Sequence, residues 1–217
     1  MEEQRMRRMQ RLSFLATLLL VPGLSVAQPE DTVQTPPPPP GYYRPLPDYR
    51  SNNPAQLLED GIARLQMFVA QKGLRDPQVL TAFLNEQIAP FFDFDRMARL
   101  VGGRFYDQLD ETQKARFRRR LSNMFFSALS RNLGAYADPQ PRIDFLPPRR
   151  RGADEVEVAA RVLPWRGYPI RLVFRFARTP DGWKIYDASY NGQSAVLYYR
   201  RYVMEQIRRY GPQILLD

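Results

Sequence analysis

The stretch Asp181-Gly182-Trp183-Lys184-Ile185-Tyr186-Asp187, continuing through Asn191-Gly192-Gln193-Ser194 into Ala195-Val196-Leu197-Tyr198-Tyr199-Arg200-Arg201, reads as a turn, a strand and an aromatic-rich helix. Thr179-Pro180-Asp181-Gly182 is a turn by its own chemistry, proline fixing one torsion and glycine permitting a positive one. The strand Trp183 to Tyr190 follows, and a helix from Gln193 to about Tyr210 ends at Gly211-Pro212. Working upstream, Ile170, Leu172, Phe174 and Phe176 alternate with Arg171, Arg175 and small residues. Val156, Val158, Ala160 and Val162 alternate in the same way, as do Ile143 and Phe145. A period of two marks strands of an antiparallel sheet with one covered face.

Before Gly134 the period is that of a helix. Leu58, Ile62, Leu65 and Val69 form one amphipathic stripe, and a second helix from Pro77 to Ile88 turns Val79, Leu80, Phe83 and Leu84 inward until Pro90 ends it. Asp93 is placed to cap a third helix carrying Phe94, Met97, Leu100 and Val101, which Gly102-Gly103 breaks. Asp110 with Gln113 three residues later is a capping-box pattern for a long fourth helix with the stripe Phe117, Leu121, Met124, Phe125, Ala128 and Leu129. Helices, then four strands, then a helix predict an α+β domain, helices packed on one face of a twisted four-stranded antiparallel sheet.

The two ends fall outside that domain. Arg5, Arg7, Arg8 and Arg11 precede an apolar run from Leu12 to Val21, then Pro22-Gly23 and the small-residue pattern Ser25-Val26-Ala27. Residues 1–27 therefore read as a cleavable secretory signal, the apolar run being about half of the ~20 residues that a membrane span needs. Residues 28–54 hold nine of the 20 prolines and few bulky aliphatic residues, the composition of an extended, disordered linker. Residues 55–217 remain as the folded domain. The signal's arginines, set against Glu2 and Glu3, account for two of the formal +9 charges, leaving +7. Such a charge suits nucleic acid, an anionic membrane surface or an acidic protein, and export argues against nucleic acid.

The chain has neither histidine nor cysteine, which removes Ser-His-Asp and Cys-His catalysis, the usual zinc cages and any disulfide. Asp93 and Asp95 serve a helix start. Asp187 lies inside an apolar strand, either as a general base of raised pKa or as the partner of an arginine, for which Arg99 and Arg104 are candidates. The arginines at 116, 118, 119 and 120, in the loop 149–151 and at 200–201 and 208–209 read as solvated faces or as contacts to anionic headgroups or an acidic partner. The 27 aromatic residues fit an ordinary core or a core opened by a lipid-sized cavity, and periodicity does not separate the two.

Two stretches carry a family likeness: Phe94-Asp95-Arg96-Met97-Ala98-Arg99-Leu100-Val101-Gly102-Gly103-Arg104-Phe105-Tyr106 with Gln113-Lys114-Ala115-Arg116-Phe117, and Trp183-Lys184-Ile185-Tyr186-Asp187 with Gly192-Gln193-Ser194. They resemble the MlaC, or toluene-tolerance, family over roughly residues 55–212. The sequence departs from that family's pattern at Asn191, where an acid is usual, and at Gln193, where an aliphatic residue is usual. The resemblance implies a periplasmic phospholipid carrier, monomeric and not an enzyme, with no cofactor or metal. Its implied partners are an outer-membrane lipoprotein complex and an inner-membrane ABC transporter with its lipid-binding subunit, a system that maintains outer-membrane asymmetry. It also implies an apolar pocket for acyl chains. On the apolar stripes the candidate lining is Phe94, Met97, Leu100, Val101, Phe105, Phe117, Leu121, Met124, Phe125, Val158, Leu172, Phe174, Ile185, Val196 and Leu197. A hopanoid in place of phospholipid, an isomerase-like enzyme using Asp187, and an envelope adaptor with a solid core stay open as alternatives.

Overall fold

The computed structural model describes residues 53–72, 77–134, 141–164 and 168–216. The expected signal at 1–27 lies outside the described residues, as does the expected linker at 28–54 except for Asn53 and Pro54. Helix α1 (Pro54–Lys72) begins with proline, whose missing N–H costs no bond in a first turn, and the Asn53 side chain accepts the Ala55 N–H at 3.1 Å. Its first turn buries Leu57 and Leu58, so the inward stripe starts one residue earlier than expected. Helix α2 (Pro77–Phe83) runs on through a π turn (Leu84–Ile88) and a 3-10 turn (Ala89–Phe91) that contains Pro90. Leu80, Leu84 and Ile88, four apart, set its buried stripe. Val79 was expected inward and is 44% exposed, because it stands about 100° of helix rotation from Leu80.

Asp93 caps helix α3 (Phe94–Gly102), its carboxylate accepting the Arg96 N–H at 2.9 Å. Gly103, with φ 51° and ψ −133°, makes the break before the short α4 (Arg104–Asp107). Helix α5 (Glu111–Gly134) opens with the expected capping box: Asp110 accepts the Gln113 N–H at 2.8 Å, and Gln113 accepts the Asp110 N–H at 3.1 Å.

The strands are β1 (Arg142–Phe145), β2 (Arg149–Arg150), β3 (Glu155–Leu163), β4 (Ile170–Thr179), β5 (Gly182–Tyr190) and β6 (Gln193–Ser194). They form one antiparallel sheet in the order β1-β3-β4-β5-β6, with β2 also on β3. The two strands beyond the expected four, β2 and β6, have two residues each, too few to show a period. Because Gln193 and Ser194 belong to β6, helix α6 (Ala195–Tyr210) starts later than expected, capped by Ser194, which accepts the Leu197 N–H at 3.1 Å. The hairpin before it turns at Asn191 (φ 45°) and Gly192 (φ 86°), a pair of left-handed residues that matches the twist of two antiparallel strands.

Candidate functional site

Register divides the sheet into two unlike faces. Val156 pairs with Phe176, Val158 with Phe174, Ala160 with both Leu172 and Phe145, and Phe176 with Ile185, so all of these share the apolar face. Leu57 and Leu58 of α1 cover one end of it, packing with Phe91, Val156, Val158, Phe176, Trp183 and Ile185. A second, larger apolar cluster is made by the helices, with Leu80, Leu84, Met97, Val101, Phe117, Leu121, Phe126 and Val203 at its centre. The two clusters meet at Phe92, a partly buried ring packed against both. Its ring lies 5.2 Å from Phe125 and 5.9 Å from Phe126 of α5. Helix α5 packs closely on α2, the π turn and α3, and approaches no strand to a similar degree among the described residues. The long helix therefore belongs to the helical cluster, and Phe92 is the ring that it shares with the sheet cluster.

The expected lining residues fall into three groups. Phe94, Met97, Val101, Phe117, Leu121 and Val196 are buried in the helical cluster, and Val158 and Ile185 in the sheet cluster. Side chains such as Met97, Val101 and Val158, at 0% exposure, are already enclosed by protein and serve packing. Phe105, Met124, Phe125, Leu172 and Phe174 are only partly buried and keep apolar surface that a ligand could cover. Leu100 and Leu197 point outward, 37% and 59% exposed, and do not line the interior. The reason is rotation: Phe94, Met97, Ala98 and Val101 define the inward side of α3, and Ala195, Val196, Tyr199 and Val203 that of α6. Phe92, Phe126 and Phe145 were not among the expected residues. The Pro90-Phe91-Phe92 run just before the Asp93 cap was the available signal for the first.

The other sheet face, which also buries Ala159, Val173 and Ala177, carries a network of ion pairs. Arg96 pairs with Glu155 and its guanidinium lies 4.0 Å from the centroid of the Tyr186 ring, whose hydroxyl donates to Glu155 at 3.1 Å. Arg96 and Tyr186 together hold the Glu155 carboxyl below its ordinary range, against the opposing effect of burial. Glu157 accepts from Arg151 at 2.9 Å and lies 3.8 Å from Arg175. Arg175 in turn donates to Asp187 at 3.2 Å.

Asp187 reaches this polar face through a β-bulge. The turn at Thr179–Gly182 sets a register that would place Asp187 beside Trp183 and Ile185 on the apolar face. Between Phe176 and Arg175 the register shifts, Arg175 pairs with Asp187, and Tyr186 becomes the extra residue. The acid therefore leaves the apolar face, and its charge partner is Arg175, directly across the ladder, in place of the expected Arg99 or Arg104. Asp187 is 2% exposed and accepts the Ser194 hydroxyl at 2.8 Å and the Val196 N–H at 3.1 Å. Burial raises its pKa, while the bonds from Val196, Ser194 and Arg175 oppose that shift. A carboxylate so fully engaged ties β5 to the first turn of α6, where an acid is also favoured by the helix dipole. That is a clamp's geometry. Among the described residues no group of three acidic side chains could hold a metal ion, and no helix is long and apolar enough to cross a membrane.

No curated protein matches this chain in sequence. In structure it is similar to a phospholipid-binding protein from Ralstonia solanacearum, solved in complex with a phospholipid, with a TM-score of 0.62 and 20% identity over 78% of this chain and 95% of that one. That likeness shows the α+β fold of helices and antiparallel sheet. The family model described as MlaC protein matches residues 62–217, which takes in both motif stretches and every residue of the polar clamp. The chain belongs to the MlaC family.

Proposed function

We propose that this protein is an exported carrier of phospholipid that holds acyl chains between α5 and the uncovered part of the sheet's apolar face. The observation that carries the reading is an apolar interior divided into a helical and a sheet cluster that meet at Phe92, with Met124, Phe125, Phe145, Leu172 and Phe174 left partly buried. Membership of the MlaC family and the lipid complex of the Ralstonia relative support it. In this reading residues 1–27 are removed on export to the periplasm. The carrier then exchanges lipid with an outer-membrane lipoprotein complex and with an inner-membrane ABC transporter through its lipid-binding subunit.

The energetics require a cavity of this kind. Burying a methylene is worth about 0.8 kcal/mol, so exposing a sixteen-carbon chain to water costs on the order of 13 kcal/mol. A lipid enters water at a useful rate only if a protein offers it an equally apolar interior. Transfer between two such interiors is nearly isoenergetic, and direction then comes from the donor and acceptor complexes. No reacting group is needed, and Asp187, committed to Ser194, Val196 and Arg175, is better suited to holding α6 than to proton transfer.

Photo-crosslinking tests the location. A benzophenone amino acid at Phe125 or Leu172 should attach phospholipid when the protein is made in a lipid-replete envelope, and one at the outward Val79 should not. Equal labelling at all three positions, or none at Phe125 and Leu172, would remove the cavity from this place.

A further inference from the structure

The outer side of α6 carries a second stripe, which touches the core only through Met204. Leu197, Arg201, Met204 and Arg208 follow at spacings of four, three and four, so they share one side of the helix. Leu197 is 59% exposed, Met204 is partly buried, and Arg201 and Arg208 are exposed. Glu205, the helix's one acid, flanks the stripe beside Arg201 and Arg208, and its ion pair is with Arg209. Arg201 and Arg208 have no acidic partner among the described residues. Arg200, on the same helix, crosses to α3 and donates to the Leu100 carbonyl at 3.0 Å, and the Leu100 side chain is itself 37% exposed.

We infer that this α3–α6 ridge is a docking surface for an anionic lipid bilayer, with Leu197 and Leu100 entering the interface and Arg201 and Arg208 meeting headgroup phosphates. Charge complementarity identifies the occupant: two guanidinium groups that form no ion pair among the described residues stand beside the exposed Leu197, a combination suited to anionic headgroups. Shape agrees, since the outer side of a helix is convex. A fluid headgroup layer can conform to it, whereas a protein partner would need a matching groove. With so little apolar surface the association is weak, reversible and sensitive to salt. It does not depend on the cavity, because a protein without any internal lipid site could dock by this ridge.

The test is flotation of the purified protein with vesicles of phosphatidylcholine alone or with 30% phosphatidylglycerol. Wild type should float with the anionic vesicles at low salt and not with the neutral ones. Arg201→Gln with Arg208→Gln should lower anionic partitioning by about twenty-five-fold, five-fold per arginine. Leu197→Gln should lower it several-fold without touching the charge. Arg116→Gln with Arg119→Gln, the same charge change on the exposed side of α5, is the control and should leave binding within about two-fold. An equal loss in the control would show adhesion by net charge alone and overturn the ridge. So would absence of binding to anionic vesicles. If Leu197→Gln impairs lipid delivery in cells while vesicles are not bound, the ridge belongs to a protein partner and the bilayer proposal is wrong. Far-UV circular dichroism and melting of each variant identify any that has simply unfolded, and Arg201→Lys with Arg208→Lys, which keeps the charge, should restore most of the binding.

Discussion

Replacing Asp187 separates a clamp from a catalytic base, and the structure sets the size of the effect. In Asp187→Ala the Val196 N–H and the Ser194 hydroxyl lose their acceptor inside the protein. A buried donor left unpaired costs about 1–3 kcal/mol, so the two together cost about 2–6 kcal/mol. Two effects reduce that figure. A buried charge is no longer desolvated, and Arg175, with a side chain 40% exposed, rehydrates at little cost. A net loss of about 2–4 kcal/mol is expected, at or under the lower part of the ~3–5 kcal/mol of breaking a fully buried ion pair. Asp187→Asn keeps one carbonyl oxygen for Val196 and should lose only about 1 kcal/mol at pH 7. The pH dependence has a definite sign. Because the folded-state pKa of Asp187 is raised, its contribution to stability is largest below the unfolded value near 3.8 and declines as pH rises through the folded one. Asparagine does not titrate, so Asp187→Asn should look worst in mild acid and improve relative to wild type toward neutrality. Urea unfolding of the three proteins at pH 5 and pH 7 measures all of this. An alanine variant as stable as wild type would refute the clamp, and an asparagine variant that worsens toward neutral pH would show that the carboxylate's partners outweigh its burial.

Other outcomes follow from the same geometry. Leu172→Asp, on the apolar face, should abolish lipid retention or folding, while Arg171→Glu, exposed on the other face, should leave both nearly intact in a lipid-content and melting assay. Gly103→Ala should lower stability by about 1–3 kcal/mol in thermal or urea unfolding, because its backbone lies in a region that side chains avoid. A Cβ there would also stand 3.2 Å from the Arg200 guanidinium. N-terminal sequencing of protein recovered from the envelope should begin at Gln28; a chain starting at Met1 would show a retained anchor or no export.

Much of the fold could be read before the structure because local chemistry and tertiary structure agree there. Asp93 and the Asp110/Gln113 pair cap helices as expected, the turn at Thr179–Gly182 joins β4 to β5, and the change of period after Gly134 marks helix giving way to sheet. The site was less legible, for physical reasons. A helical stripe shows which side of a helix is apolar, and Leu100 and Leu197 fit the composition of that side while Leu100 stands beyond its edge and Leu197 on the outer side. A bulge leaves no trace in alternation, so the side taken by Asp187 and its pairing with Arg175 depended on one extra residue, Tyr186. The Asn191-Gly192 pair was a legible hairpin signal that the neighbouring helix pattern overrode. Whether a stripe of aromatics packs solidly or faces a gap depends on distances between elements, and Phe92, the ring that joins the two clusters, lies on none of the stripes.

A carrier of this kind holds lipid in its interior. Native mass spectrometry of protein purified without detergent from a lipid-replete envelope tests it directly. The dominant species should be heavier than the polypeptide by the mass of a phospholipid, and its dissociation in the gas phase should release the lipid. Protein at the bare polypeptide mass, with only background lipid on organic extraction, would contradict it.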